Sequence, residues 1–128
     1  MRIGKMIGTL ACTAVLGAGI TTAAAGPASA GGCTLNYLCG VVVNNTPHQI
    51  QLCWAWDGPR NSCYGDKIDH VPGNDHRGGD GKDVDAFYVP DGHCFDWDVN
   101  GVPAPNARPG WHQIHNGETA TVHRILGC

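Results

Sequence analysis

The chain has 128 residues, with eleven acidic against eight basic side chains, seven histidines, nineteen glycines and seven cysteines. A net charge of −3, with no cluster of Lys or Arg, excludes a nucleic-acid surface, which needs cations to displace phosphate counterions. The same deficit disfavours anionic membranes as partners, and the length allows one compact domain.

The first thirty residues read as a leader. Arg2 and Lys5 form a basic start, Ile7 to Ile20 an apolar stretch, and Ala28-Ser29-Ala30 an A-x-A cleavage pattern. Thr9, Cys12 and Thr13 interrupt the apolar stretch, which is shorter than the ~20 residues of a membrane span. We expect an exported, cleaved, soluble protein running from Gly31 to Cys128. Losing Arg2 and Lys5 leaves six basic against eleven acidic residues, a net charge of −5. A chain this short buries roughly 65% of its extended surface, so its apolar core alone is marginal.

Six cysteines remain: Cys33, Cys39, Cys53, Cys63, Cys94 and Cys128. An even number in a small exported domain implies three bridges and an oxidising compartment. The long, uneven spacings, with no C-x2-C pair, argue against zinc. The expected pairs are Cys53–Cys63, tying a strand to the loop after it, and Cys94–Cys128, joining a central element to the last strand. That leaves Cys33–Cys39. Cys39–Cys53 is the rival if Asn45-Thr46-Pro47 is a hairpin loop.

Gly40 to Asn44 reads as a first strand. In the second, Ile50, Leu52, Trp54 and Trp56 alternate with Gln51, Cys53 and Ala55, placing both tryptophans on one face. They read as core, or alternatively as an aromatic platform for sugars. Asp57 to Lys82 has almost no apolar periodicity and reads as a long connection, the kind that often carries function.

Asp83 to Asn100 carries the clearest pattern. Val84, Ala86 and Tyr88 alternate with Asp83, Asp85 and Phe87; after Pro90-Asp91-Gly92, Phe95, Trp97 and Val99 alternate with Cys94, Asp96 and Asp98. This predicts a hairpin with an apolar face and a wet, acidic one. Val102 to Gly110, with three prolines, reads as an extended polyproline-like connection. Trp111–His115 and Glu118–Leu126 flank Asn116-Gly117, a strong hairpin signal. The expected fold is all-β: a small antiparallel sandwich or partly open barrel of about six strands, arranged as three sequential hairpins and stapled by disulfides.

Little in the sequence points to catalysis or metal. The acidic run Asp80, Asp83, Asp85 lacks the order of a calcium loop and reads as a solvated edge. His48, His70, His76, His93, His112, His115 and His123 are scattered, with no zinc-binding spacing. Ser62 sits outside any nucleophile elbow. Asp96 and Asp98 share a strand face at about 7 Å, a separation a glycosidase pair could use, but a wet face alternates this way without chemistry. We therefore expect no enzyme and no cofactor.

The Ala28-Ser29-Ala30 leader, the six cysteines, DVDAFYVPDGHC and WHQIHNGETATV resemble the small exported, disulfide-stabilised β proteins of actinomycetes. That set includes inhibitors of secreted hydrolases and adaptor-like components of secreted toxin assemblies. The resemblance implies binding to another secreted or extracellular protein. Two alternatives stand beside it: a carbohydrate-binding module using Trp54, Trp56 or Trp111, and, less favoured, a small hydrolase using the aspartates. For a protein partner, Arg108 and Pro109 in the proline-rich connection are the candidate contact; Arg108 is the only charged side chain there. In an inhibitor Arg108 would be the P1 residue. The secreted form should begin at Gly31 and titrate with no free thiol, which an intact mass and a thiol assay would check.

Overall fold

The computed structural model describes residue 33 and residues 38–128; the expected leader and its cleavage site lie outside the described residues. Eleven strands follow: β1 Val41–Asn44, β2 Ile50–Cys53, β3 Trp56–Asp57, β4 Ser62–Cys63, β5 Ile68–Val71, β6 Asp75–Gly78, β7 Ala86–Val89, β8 His93–Val99, β9 Val102–Pro103, β10 Gly110–Gln113 and β11 Thr119–Gly127. A five-stranded sheet has the order β6-β1-β11-β8-β9, and a four-stranded sheet the order β10-β7-β2-β5. β3 and β4 pair separately. The all-β class holds, as an open sandwich rather than a closed barrel. Among the described residues no helix is long and apolar enough to cross a membrane.

The three sequential hairpins do not form. β1 and β2, β7 and β8, and β10 and β11 each divide between the two sheets, so their connections are arches rather than hairpins. The reason lies in the aromatics. Phe87 on β7 stacks on Phe95 of β8 with ring centroids 6.0 Å apart, and meets Trp97 edge-on at 5.1 Å. Side-by-side strands would leave these rings on one exposed face, whereas facing strands bury them against each other. A period-two pattern is the same in both arrangements.

The assignment of faces on β7 also needs correction. Phe87 does not share a polar face with Asp83 and Asp85; it is fully buried, and Val89 lies on the same inner side. Ala86 is buried too, beside Cys53, whose bridge to Cys63 carries β3 and β4 across the outer face. On β8 the expected alternation stands: Phe95 points inward, and Asp96 and Asp98 pair with β11 on the outside.

The stretch Asp57–Lys82 is not a structureless connection. It holds β4, β5, β6 and part of β3, with a 3-10 turn at Gly65–Lys67. β5 and β6 are the outer strands of their sheets, so all but one of their side chains are exposed or half-exposed and no apolar alternation is needed. Polar edges of this kind also discourage pairing with other chains.

β11 is the longest strand and lies at the centre of its sheet, parallel to β1 and antiparallel to β8. The bridges are Cys33–Cys39, Cys53–Cys63 and Cys94–Cys128, with Cα separations of 5.2, 5.7 and 5.7 Å. The last of these fastens the end of β11 to the start of β8. With β1 and β2 in different sheets, the hairpin premise of a Cys39–Cys53 pair falls away.

A buried polar group ties the ends of β1, β2 and β5 together. Asn44, fully buried, donates through Nδ2 to the carbonyls of His48 at 2.6 Å and Pro72 at 3.0 Å, and accepts from the Thr46 amide and hydroxyl at 3.0 and 2.8 Å. Thr46 in turn accepts from the Asn74 amide through its carbonyl at 3.0 Å. Gly73 allows this approach, because a Cβ there would lie 2.5 Å from the Pro47 carbonyl. Asn44→Ala strands several buried groups at once and should cost about 2–4 kcal/mol, read by denaturant melts. Asn44→Asp, which keeps the acceptor but loses the donors, should not rescue it.

Candidate functional site

The two tryptophans expected on one face are separated. β2 ends at Cys53, and the chain bends through Trp54 and Ala55 before β3. Trp54 packs against the core, its indole N–H donating to Asp69 at 3.0 Å. Trp56 is carried over the outer face of the four-stranded sheet, 6.4 Å from Trp111 in an edge-on contact. Trp111 lies opposite Tyr88 across β10 and β7, ring centroids 5.1 Å apart. Register continues the row from Tyr88 to Gln51 and then His70. Two rings, an amide and an imidazole therefore cross all four strands, with Trp56 above one end. The three aromatics are half-buried and mutually tilted.

Beside this row the sheet opens. β2 and β7 pair only through Gln51–Cys53 and Ala86–Tyr88; Ile50 turns to Val71 and Val89 to Gly110. Where the pairing stops, a cavity of about 470 Å³ reaches inward to Phe95, Ile125 and Leu126 of the five-stranded sheet. Tyr88 and Gln51 belong to both the row and the cavity wall. Nothing in the sequence marks this opening, because it follows from where a register ends.

The proline-rich connection is better ordered than its composition implies. After β9 pairs with β8, the Ala104 amide donates to Trp97 O at 3.1 Å, and Ala107 exchanges two backbone bonds with Phe95 at 2.8 and 2.9 Å. The Trp97 indole donates to Pro105 O at 2.9 Å. The connection is an irregular edge strand pinned along β8, not a free polyproline segment. Arg108 and Pro109 stand exposed where it crosses to β10, beside a cavity of about 410 Å³ that also borders Cys94 and Cys128. Arg60, Arg77 and Arg124 each have an intramolecular ion pair; Arg108 has none among the described residues. Its carbonyl lies 2.6 Å from His112 Nε2.

Several titratable residues that the sequence left on the surface are engaged within the fold. His112 is not a scattered surface histidine: its ring stacks on Phe87 at 5.3 Å and lies against Trp97. Asp96 and Asp98 each pair across β8 and β11, with Arg124 and His123. Asp83 and Asp85 do not form a solvated edge. Asp83 accepts from the Gly40 amide, and Asp85, half-buried, accepts from the Trp56 amide at 2.8 Å. Among the described residues no three His, Cys, Asp or Glu side chains converge as a metal site. Comparison with protein-family models, curated proteins and solved structures finds no match.

Burial holds the Asp85 carboxyl above the usual aspartate value; the Trp56 amide opposes this, and neighbouring Asp83 adds to it. Asp69 is held below that value, chiefly by the Trp54 indole, and Asp75 by Arg77. The signs differ. A raised folded pKa means that Asp85 opposes folding once ionised, so its penalty grows as pH rises from the ordinary value, about 3.9, through its folded value. Asp69 and Asp75 contribute stability that is present above the ordinary value and lost as pH falls through their lowered ones. Asp85→Asn keeps an acceptor for Trp56 and should raise the melting temperature at pH 7. It should also flatten the melting profile on the upper side of the ordinary value while leaving the acid limb intact.

Proposed function

We propose that this is a secreted, non-enzymatic binding domain whose partner is another secreted or extracellular protein, as a hydrolase inhibitor or an adaptor in a secreted toxin assembly would be. The observation that carries the reading is Arg108: exposed, without an ion pair among the described residues, and displayed by backbone already fixed along β8. A side chain held on ordered backbone loses less entropy on binding, and arginine is enriched among interface hot spots. The bridged cysteines offer no thiolate, Asp96 is ion-paired with Arg124 and Asp98 is in contact with His123, which favours binding over catalysis. The three disulfides fit an oxidising compartment.

The backbone geometry bears on the kind of contact. A substrate-like P1 residue needs its carbonyl free for the protease, but that of Arg108 is engaged by His112, and Ala107 is bonded on both sides to Phe95. We therefore favour docking through the guanidinium, toward carboxylates or carbonyls of the partner, over insertion as a pseudo-substrate.

A glycan is the second reading, favoured by Trp56, Trp111 and Tyr88. Their rings are tilted rather than coplanar, which suits a single soluble sugar chain better than a flat crystalline polymer. Partners can be captured from producer culture fluid on the immobilised mature domain and identified by mass spectrometry. Arg108→Ala should weaken a captured protein by over ~1 kcal/mol without changing the melt. Glycan-array binding lost in Trp111→Ala but kept in Arg108→Ala would establish the second reading instead.

A further inference from the structure

We propose that the opening between β2 and β7 is a binding site for a small, uncharged amphiphile with a ring-sized apolar body. Its volume, about 470 Å³, falls in the range of small-molecule pockets. The inner wall is apolar, formed by Ile50, Phe95, Ile125 and Leu126 from both sheets. The mouth carries neutral hydrogen-bonding groups: Gln49 and Gln51 on one side, Tyr88 on the other, with His48 and His93 at the rim. No Asp, Glu, Lys or Arg lines it, although the chain carries nineteen such residues. A charged ligand would lose its hydration there with no carboxylate, ammonium or guanidinium in return, the rim imidazoles of His48 and His93 being the nearest titratable groups. A neutral one would bury its apolar body against Phe95 and Leu126 while its hydroxyl or carbonyl groups stay at the amides.

The position follows from the fold. Both strands stop pairing with each other at Gln51 and Tyr88, so the gap reaches the space between the sheets instead of ending at a closed ladder. Tyr88 also touches Trp111, so a ring lodged in the mouth would extend the existing aromatic group. Arg108 does not line this site; it borders a second cavity, which meets the first only at Leu126 and Gly127.

The test uses the mature, oxidised domain and two fluorescent probes with nearly the same body: neutral N-phenyl-1-naphthylamine and its sulfonated relative 8-anilinonaphthalene-1-sulfonate. The neutral probe should bind saturably and at least about tenfold more tightly, a difference of about 1.4 kcal/mol. Gln49→Trp and His93→Trp, both at exposed rim positions, should each weaken it about tenfold with the melt unchanged; one well-folded variant is enough. Arg108→Ala should leave it unaffected, which separates this site from the protein-binding surface. No saturable binding, equal affinity for the two probes, or no effect of a folded rim variant would overturn the proposal. So would a dimer dispersed by the neutral probe, since the opening would then belong to a second copy.

Discussion

Phe87 is the contact on which the sandwich depends. Its ring meets Phe95 and Trp97 from the opposite sheet and His112 from the neighbouring strand of its own. Three consequences follow. β7 and β8 must face each other, so the turn at Pro90-Asp91-Gly92 becomes an arch. β10 must pack close enough for His112 to cover the ring. The proline-rich connection must run along β8, where the Trp97 indole and Phe95 backbone hold it. Truncating a ring this well enclosed costs about 3–5 kcal/mol, a large part of the stability of a domain this size.

Around that centre the chain repeatedly changes sheet. The links β1–β2, β5–β6, β6–β7, β7–β8, β9–β10 and β10–β11 all cross between sheets. Such a topology has few local pairings, and its central strand β11 comes last in the chain. Closure therefore waits on distant segments, which raises its entropic cost. The Cys94–Cys128 bridge offsets part of that cost by holding β11 to β8, while the Asn44 group fixes one end where crossings converge. Arg108, exposed, and the row from Trp111 to His70, half-buried except at His70, are displayed on this braced frame.

The β class and the strand character of residues 41–44, 50–53, 86–89 and 93–99 were legible, the first from its run of valines and the others from alternation. The partner of each strand was not. Val84 and Ala86 are buried as well as Phe87 and Val89, so Phe87 could not be assigned by counting, and Asp85 looked wet while serving as an acceptor under Trp56. β5 and β6 were invisible because edge strands need no apolar face. Arg108 stood out as the only charge among prolines, but that it has no ion pair among the described residues required the surrounding side chains. The opening beside Tyr88 had no signal at all, since the end of a ladder has no residue signature.

The arrangement of arches is most directly tested by backbone nuclear Overhauser contacts in the oxidised protein. Parallel pairing of β1 with β11 requires cross-strand contacts linking Val42 and Val43 to Ala120 and Thr121, and side-chain contacts between the Phe87 and Phe95 rings without a backbone ladder between β7 and β8. An antiparallel ladder of close Hα–Hα contacts between Ala86–Val89 and His93–Val99 would contradict the arches, and with them the placement of every surface described above.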